Sequence, residues 1–146
     1  MKQFLPDVNV WFALSQVQHQ HHGAAQAWLQ GVHAPDKVAF CRPTQQGLLR
    51  LSSTAAIMAL YGTGPITNVA AWRNYGVWLT DPVIEFADEP LHLGQAWEKF
   101  GAVRSASPKL WMDAYLAAFA VAGNFTLVTT DRAFKQFKGL DILVLG

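Results

Sequence analysis

Near its N-terminus the chain carries the segment Phe4-Leu5-Pro6-Asp7-Val8-Asn9-Val10-Trp11-Phe12-Ala13-Leu14. Its first residues predict a short buried strand, with Pro6 at the strand end because proline cannot donate a hydrogen bond inside a central strand. Apolar residues from Val8 onward recur at the spacing of one face of a helix. Asp7 therefore lies where a predicted strand meets a predicted helix.

The same succession of strand and helix continues along the rest of the chain. Short runs rich in apolar residues predict further strands at residues 38–41, 83–86, 126–129 and 140–145, and most of the intervening segments have helical periodicity. Pro43 marks one helix start, and Gly123-Asn124 marks a helix end. Strands that alternate with helices and are apolar on both faces are typical of a parallel sheet covered on both sides. We therefore predict an α/β fold, an α/β/α sandwich with a parallel central sheet, in one domain over residues 1–146.

The composition fits this fold and excludes a strongly basic nucleic-acid binder. The chain has 146 residues, of which 51% are apolar, so it can bury a core without cross-links. Its eleven Lys and Arg residues nearly balance its ten Asp and Glu residues, which gives a formal net charge of +1. Any contact with a nucleic acid must therefore depend on a local basic groove and not on the overall charge.

Cysteine content and hydropathy indicate a cytoplasmic protein. The single cysteine, Cys41, excludes an internal disulfide and fits a reducing compartment, and we expect it to be a small buried apolar residue. The N-terminal residues lack the apolar run of a signal peptide, and the longest apolar run, residues 114–122, is too short to span a bilayer. We therefore expect no association with a membrane.

Three aspartates lie where predicted strands end or predicted helices begin. Asp7 follows the first strand, Asp131 follows the fourth, and Asp113 leads into a long apolar helix. The carboxyl ends of parallel strands share one edge of a sheet, where ligands bind in such folds. Three carboxylates at one edge repel one another unless a cation neutralises them, and a hard divalent cation is the usual one. The alternative is that each aspartate only caps a helix, because its oxygen accepts from free backbone N–H groups.

Other groups of polar or aromatic residues favour simpler interpretations. His19, His21 and His22 could suggest zinc, but adjacent histidines on a helix point about 100° apart and seldom share one ion. A solvated helix start is the better interpretation of this histidine cluster. We expect the tryptophans at apolar helical positions to lie in the core: Trp11, Trp28, Trp72 and Trp97.

Four segments follow one another in an order that is specific to a family. They read LPDVNVW at residues 5–11, FCRPTQQGLLRL at 40–51, KLWMDAYLAAFA at 109–120 and LVTTDRAF at 127–134. Together they resemble the motifs of PIN-domain ribonucleases and, more narrowly, of the VapC toxins of bacterial VapBC toxin–antitoxin modules. The resemblance covers nearly the whole chain.

The resemblance implies a PIN-like fold and a metal-dependent endoribonuclease, the toxin of a type II toxin–antitoxin pair, which hydrolyses RNA phosphodiester bonds with a carboxylate-held Mg²⁺ or Mn²⁺. It implies that Asp7 and Asp113 are the principal metal ligands and that Asp131 is a further catalytic acid. Asn9 and Thr130 are then polar neighbours that orient these carboxylates. The implied partners are the RNA substrate, a VapB-like antitoxin and a second copy of the chain in a homodimer.

One region departs from the pattern of the family. Many PIN domains carry a glutamate on the helix after the second strand, where this chain has Thr44, Gln45 and Gln46. An amide supplies a carbonyl oxygen but no charge, so Gln45 is expected to be only a supporting polar residue. The site then carries up to three negative charges, and whether it holds one metal ion or two stays open.

Basic residues near the four motifs are candidates for binding RNA phosphates, with solvated surface charge as the alternative: Arg42, Arg50, Arg104, Lys109 and Arg132. Apolar residues in the first two helices and near residue 60 exceed what one sheet face needs: Trp11, Phe12, Leu14, Trp28, Leu29, Ile57, Met58, Leu60 and Tyr61. We expect a second copy or the antitoxin to cover part of this surface. The alternative is that all of these residues pack internally.

Two other functions are compatible with the same residues. A PIN nuclease of RNA processing, outside any toxin pair, would keep the chemistry but have no antitoxin. A non-catalytic module that binds RNA or protein would keep the fold but hold its ligand equally well without a metal ion.

Overall fold

A parallel five-stranded sheet runs through the centre of the computed structural model, which describes residues 1–146. Its strands are β1 (Gln3–Pro6), β2 (Lys37–Phe40), β3 (Ile84–Phe86), β4 (Thr126–Thr129) and β5 (Ile142–Val144). They are ordered β3-β2-β1-β4-β5, and every neighbouring pair is parallel. All five strands lie within a residue or two of the segments predicted from the sequence.

Seven α-helices and one 3₁₀ helix connect and cover these strands. The helices are α1 (Val8–Ser15), α2 (His22–Gln30), α3 (Arg42–Ser52), α4 (Ala55–Ala59), α5 (Asn68–Trp78), α6 (Leu93–Gly101) and α7 (Leu110–Gly123), and the 3₁₀ helix is Arg132–Gln136. As predicted, α7 ends at Gly123, and Asn124 follows in the left-handed conformation with φ of 59°. None of these helices has the length and apolar character needed to cross a membrane.

Two apolar cores lie on opposite faces of the sheet, because successive strand residues point to opposite faces. In β2, Val38 and Phe40 pack with residues of α1 to α5, whereas Ala39 packs with α6 and α7. In β4, Val128 packs in the core with α1 to α5, and Leu127 packs in the core with α6 and α7. Helices therefore cover both faces, and the prediction of an α/β/α sandwich with a parallel sheet is confirmed.

The pairing of β1 with β4 sets the position of the carboxyl edge. Leu5 lies opposite Leu127 and Pro6 opposite Val128 in this register. The backbone N–H of Asp7 then donates to the carbonyl oxygen of Val128 at 2.9 Å. Pro6 is the last residue of its strand, as its missing N–H requires.

The expectation that the tryptophans at apolar helical positions lie in the core was wrong in part. Trp11 is fully buried and stacks on Phe40, with ring centroids 3.7 Å apart, but Trp72 is 59% exposed. The buried side of α5 carries Ala71 and Tyr75, and Trp72 lies about 100° around the helix from Ala71.

The apolar surface expected in the first helices is mostly internal. Four of its residues are buried in the core: Trp11, Phe12, Leu14 and Met58. Another four are partly buried against the same core: Trp28, Leu29, Ile57 and Tyr61. Only Leu60 of that set is largely exposed, so internal packing accounts for nearly all of the set.

Candidate active site at the carboxyl edge of the sheet

Asp7 is the most buried carboxylate of the edge, with a side chain that is only 4% exposed. One carboxylate oxygen, Oδ1, accepts from the backbone N–H of Val10 at 3.0 Å and so caps α1. The other oxygen, Oδ2, accepts from the hydroxyl of Thr129 at 2.5 Å. Both oxygens are therefore held in fixed positions, and the capping interpretation is correct for Asp7 without excluding a further role.

Thr129 joins two of the three aspartates. This fully buried residue ends β4, donates its hydroxyl proton to Asp7 and accepts from the backbone N–H of Asp131 at 2.9 Å. The family resemblance implies Thr130 as the orienting residue, but Thr129 makes the contacts with Asp7 and Asp131. Strand alternation was the signal, since it puts Thr129 on the same face of the sheet as Leu127, whereas Thr130 lies beyond the end of β4.

The three aspartates line one pocket of about 130 Å³ at the carboxyl edge, here called the acidic pocket. Asn9 also lines it, next to Asp7 in the first turn of α1. Asp113 enters from the first turn of α7, and Asp131 enters from the start of the 3₁₀ helix, where it caps the N–H of Ala133 at 2.9 Å. The remaining walls are mostly apolar: Val8, Pro43, Thr44, Met112, Tyr115, Leu116 and Phe134.

Burial and mutual repulsion both act on the carboxylates of this pocket. Burial, partly offset by the hydrogen bond from Thr129 and increased by the charge of Asp131, raises the pKa of Asp7 from 3.8 to about 6. Burial also raises the pKa of Asp113, and the charge of Asp131 raises it further. The charge of Asp131 thus acts on both other aspartates.

The donor chemistry of the pocket fits a hard divalent cation. Carboxylate oxygens are the preferred protein ligands of Mg²⁺, and a cation beside Asp7 and Asp113 would offset the burial and the repulsion by Asp131 that raise the pKa of these two groups. No three acidic, histidine or cysteine side chains stand close enough together to hold an ion directly. An ion here would therefore use one or two carboxylates and retain several of its waters, which is the usual habit of Mg²⁺.

The structure does not bring Gln45 into the acidic pocket. Its side chain is buried, and its amide oxygen accepts from a guanidinium N–H of Arg42 at 2.6 Å. Thr44, on the same helix, does line the pocket, but its hydroxyl hydrogen-bonds with the backbone of Cys41. No residue of the 44–46 region thus supplies a fourth charge to the acidic pocket.

The predicted phosphate-binding residues lie outside the acidic pocket. All five are exposed and none forms its wall: Arg42, Arg50, Arg104, Lys109 and Arg132. The guanidinium carbon of Arg42 lies 4.6 Å from the ring centroid of Phe86. The hydroxyl of Tyr115, whose ring lines the pocket, donates to Glu89 at 2.8 Å, so Glu89 lies behind this wall.

The histidines at positions 19, 21 and 22 do not form a metal site. His22 opens α2, as expected of a helix start, and its Nδ1 hydrogen-bonds with the carbonyl oxygen of Ala13 at 2.8 Å. His19 stacks on the ring of Tyr61, with centroids 5.5 Å apart. No group of three potential ligands for a metal ion forms there.

Comparison with known proteins agrees with this geometry. The family model described as PIN domain matches residues 4–140. Ribonuclease VapC41 of Mycobacterium tuberculosis (strain ATCC 25618 / H37Rv) is 47% identical over 143 residues, covering 97% of this chain and 98% of that protein. The chain belongs to the VapC branch of the PIN-domain family. Ribonuclease VapC37 of the same organism is a more distant relative of this PIN domain, 24% identical over 135 residues, which are 92% of this chain and 91% of the relative.

Solved structures show the same PIN fold in other bacteria. VapBC2 from Rickettsia felis, bound to a DNA fragment from its promoter, matches with a TM-score of 0.64 at 14% identity, covering 99% of each chain. VapBC-1 from nontypeable Haemophilus influenzae matches with a TM-score of 0.62 at 13% identity, covering 97% of each chain. The prediction of a PIN-like fold, made from four motifs, is confirmed.

The raised pKa of Asp7 gives a pH-dependent stability with a definite sign. Between the ordinary value of 3.8 and the folded value of about 6, the folded protein binds more protons than the unfolded chain, so stability falls as pH rises through this interval. In metal-free buffer, Asp7→Asn removes this loss of folding stability, because the amide has no charge to bury. The variant should exceed wild type above pH ~6 by up to roughly 3 kcal/mol, at about 1.4 kcal/mol per pKa unit.

Urea denaturation in EDTA at several pH values measures this difference. It should shrink as pH falls below about 4, where the Asp7 carboxyl is protonated in both states. Asp88→Asn removes an exposed negative charge outside the pocket and serves as the control. A difference between Asp7→Asn and wild type that does not change with pH would contradict the assignment of a costly buried charge to Asp7.

Proposed function

We propose that this chain is a divalent-metal-dependent endoribonuclease and acts as the toxin of a toxin–antitoxin pair. One observation carries the proposal: Asp7, Asp113 and Asp131, from three distant segments of the chain, line one pocket at the carboxyl edge of the sheet. The relationship to ribonuclease VapC41 supports RNA as the substrate, because the two chains align over nearly their whole lengths. Asp7 and Asp113 are the proposed metal ligands, and Asp131 is the further acid.

The residues of the pocket have separate roles in the proposed reaction. When bound, Mg²⁺ or Mn²⁺ supplies a water of lowered pKa and neutralises charge on the phosphate under attack. Asp7 is held rigidly for this purpose, since Val10 and Thr129 fix its two oxygens. Thr129 is a positioning residue, because it acts through Asp7 and through the backbone of Asp131. Asn9 offers an exposed amide at the same pocket.

RNA must approach a pocket that is itself negative. The formal net charge of +1 supplies little general attraction, so exposed cations near the pocket have to hold the phosphates. Lys109 immediately precedes the helix that carries Asp113, and Arg132 follows Asp131 in sequence. We assign the neighbouring phosphates of the substrate to these two residues first, and to Arg42 and Arg104 second.

Cleavage of RNA with defined variants tests the proposed reaction. Asp7→Asn and Asp113→Asn should each lower the cleavage rate in Mg²⁺ or Mn²⁺ by more than about 100-fold, because each removes a ligand charge. Thr129→Val should cost about 10- to 100-fold, the range for a partner that orients a ligand, and Thr129→Ser should restore most of the loss. EDTA should abolish wild-type cleavage, and added Mn²⁺ should restore it.

The same experiment separates the nuclease from a binding module. Undiminished metal-dependent cleavage by Asp7→Asn or Asp113→Asn would refute the ligand assignment. RNA that is bound equally well with and without metal, and never cut, would favour the non-catalytic alternative. Asp88→Asn, which lies outside the acidic pocket, should cleave at the wild-type rate.

We further propose that an antitoxin inhibits the enzyme by placing a basic side chain in the acidic pocket. Asp131 is exposed and Asp113 is only partly buried in this pocket, so both carboxylates are accessible to an arginine or lysine side chain. Charge-assisted hydrogen bonds of this kind contribute about 1.5–3 kcal/mol each. The cognate antitoxin should therefore bind the Asp113→Asn protein about 10-fold or more weakly, as measured by calorimetry.

Unchanged affinity would show that the antitoxin acts elsewhere. Raising the Mg²⁺ concentration should also weaken inhibition of the wild-type enzyme, since cation and antitoxin compete for the same oxygens. If no small antitoxin gene lies beside this one, RNA processing becomes the favoured role.

A homodimer is the third part of the proposal, and α5 is its most suitable surface. An open groove of about 590 Å³ between α3 and α5 is lined by Leu49, Arg50, Ser53, Asn68, Val69, Ala71 and Trp72. Val69 and Trp72 are exposed apolar residues in it, and such a patch is typical of an interface. Light scattering at tens of micromolar should give a dimer mass for wild type and a monomer mass for Trp72→Glu. A monomeric wild-type protein would remove the dimer from the proposal.

A further inference from the structure

A second pocket, of about 170 Å³, adjoins the acidic pocket and has aromatic walls. This aromatic pocket is lined by Pro43, Trp97, Trp111, Met112 and Tyr115. Three of these residues, Pro43, Met112 and Tyr115, also line the acidic pocket. The two pockets are therefore parts of one continuous surface.

Helix α7 sets the spacing between the aromatic pocket and the proposed metal ligand. Trp111 and Tyr115 are four residues apart and so lie on one side of the helix. Met112 lies between Trp111 and Asp113 around the helix, because successive residues turn by about 100°. Met112 and Tyr115, which line both pockets, therefore lie between Trp111 and Asp113 around the helix and join the aromatic pocket to the acidic pocket.

The aromatic pocket is held rigid and yet left open. The indole N–H of Trp97 donates to the carbonyl oxygen of Trp111 at 2.9 Å, and the ring of Trp97 meets the rings of Trp111 and Tyr115 edge-on. A Cβ atom at Gly101 would lie 2.9 Å from Cε3 of Trp111, so only a glycine leaves room for this ring. Trp111 nevertheless remains 47% exposed and Met112 74% exposed. Ordered aromatic surface is therefore kept in contact with solvent beside the acidic pocket.

The walls of the aromatic pocket suit the face of a single planar ring. Its volume is well below the roughly 300–1,000 Å³ of pockets that enclose drug-sized ligands. Two of its polar groups already have protein partners, since the Trp97 N–H is bonded to Trp111 and the Tyr115 hydroxyl to Glu89. What remains for a ligand is mainly ring and thioether surface, which favours stacking over recognition of hydrogen-bonding edges.

We infer that the aromatic pocket binds an unstacked nucleobase of the RNA substrate. The nucleotide of this base is next to the phosphate at the proposed metal site of Asp7 and Asp113. This inference rests on the proposed function and adds a base-binding subsite beside the acidic pocket. A base can enter the aromatic pocket only where it is neither paired nor stacked in a duplex, so the substrate is single-stranded RNA or a loop. Because stacking tolerates every base, the pocket selects strand state more than sequence. Continuity with the acidic pocket is what favours a base of the substrate over an apolar side chain of a partner protein.

Binding of RNA to an inactive enzyme tests the aromatic pocket separately from cleavage. In the Asp7→Asn background, fluorescence anisotropy measures the affinity for a labelled short single-stranded RNA of mixed sequence and for the same RNA in a full duplex. Trp111→Ala should weaken single-strand binding about 10-fold, within the range for loss of one base–aromatic stack. Trp111→Phe keeps a stacking ring and should bind nearly as well as its parent. The control is Val121→Ala, which truncates a residue of the same helix that is 40% exposed and lies outside both pockets.

A change in the RNA tests the pocket without changing its fold. An abasic nucleotide placed in turn along the strand should weaken binding about 10-fold at one position, and this loss should be absent in Trp111→Ala. Equal affinities of Trp111→Ala and Val121→Ala, or equal binding of duplex and single strand, would overturn the inference. It would also fail if Trp111→Ala weakened only antitoxin binding.

The two proposals can fail independently. Wild-type protein that cuts RNA in Mg²⁺, with no effect of Trp111→Ala on binding, would leave the nuclease and remove the aromatic pocket. If the protein never cuts RNA but Trp111→Ala weakens its binding of single-stranded RNA, the aromatic pocket stands as a base-binding site and the nuclease proposal is refuted.

Discussion

The hydrogen bond from the Thr129 hydroxyl to the buried Asp7 carboxylate is the contact on which the rest of this site depends. It joins the end of β4 to the residue that follows β1, two strands that are far apart in sequence but paired in the sheet. The pairing also brings the Asp7 N–H to the carbonyl oxygen of Val128 at 2.9 Å. Any shift of the β1–β4 register would separate Asp7 from Thr129, and with it from Asp131, whose N–H donates to the same hydroxyl. The sheet thus fixes the geometry of the acidic pocket.

Much of this architecture could be predicted from local sequence. Pro6 marks a strand end because it lacks a donor, and Asn124 marks a helix end because it tolerates the left-handed conformation. Asp7 and Asp131 stand at strand–helix junctions, and the parallel sheet brings both junctions to the acidic pocket. These features follow from residue types at short range, together with one rule about where parallel strands end.

Other features depend on contacts that local sequence does not contain. Thr129 and Thr130 have the same chemistry, and only the orientation of β4 decides that Thr129 meets Asp7. The family resemblance predicts Gln45 as a supporting residue of the site, yet the rotation of α3 buries it beside Arg42. Trp72 has helical apolar spacing, but α5 covers the core with only one narrow side, so the ring is exposed. The aromatic pocket beside Asp113 was missed for a related reason, since it requires α6 to pack against α7.

Placing three carboxylates in one pocket costs folding free energy, because burial and like charges disfavour their charged forms. Folding alone does not explain this cost, and a bound cation would offset it. The most direct test is an NMR titration of the Asp7 carboxyl carbon, first in EDTA and then in Mg²⁺. The pKa should lie near 6 without metal, because burial disfavours the charge, and should fall when Mg²⁺ is present, because the ion competes with the proton. A pKa close to the ordinary 3.8 that does not respond to Mg²⁺ would contradict the assignment of Asp7 as a buried metal ligand.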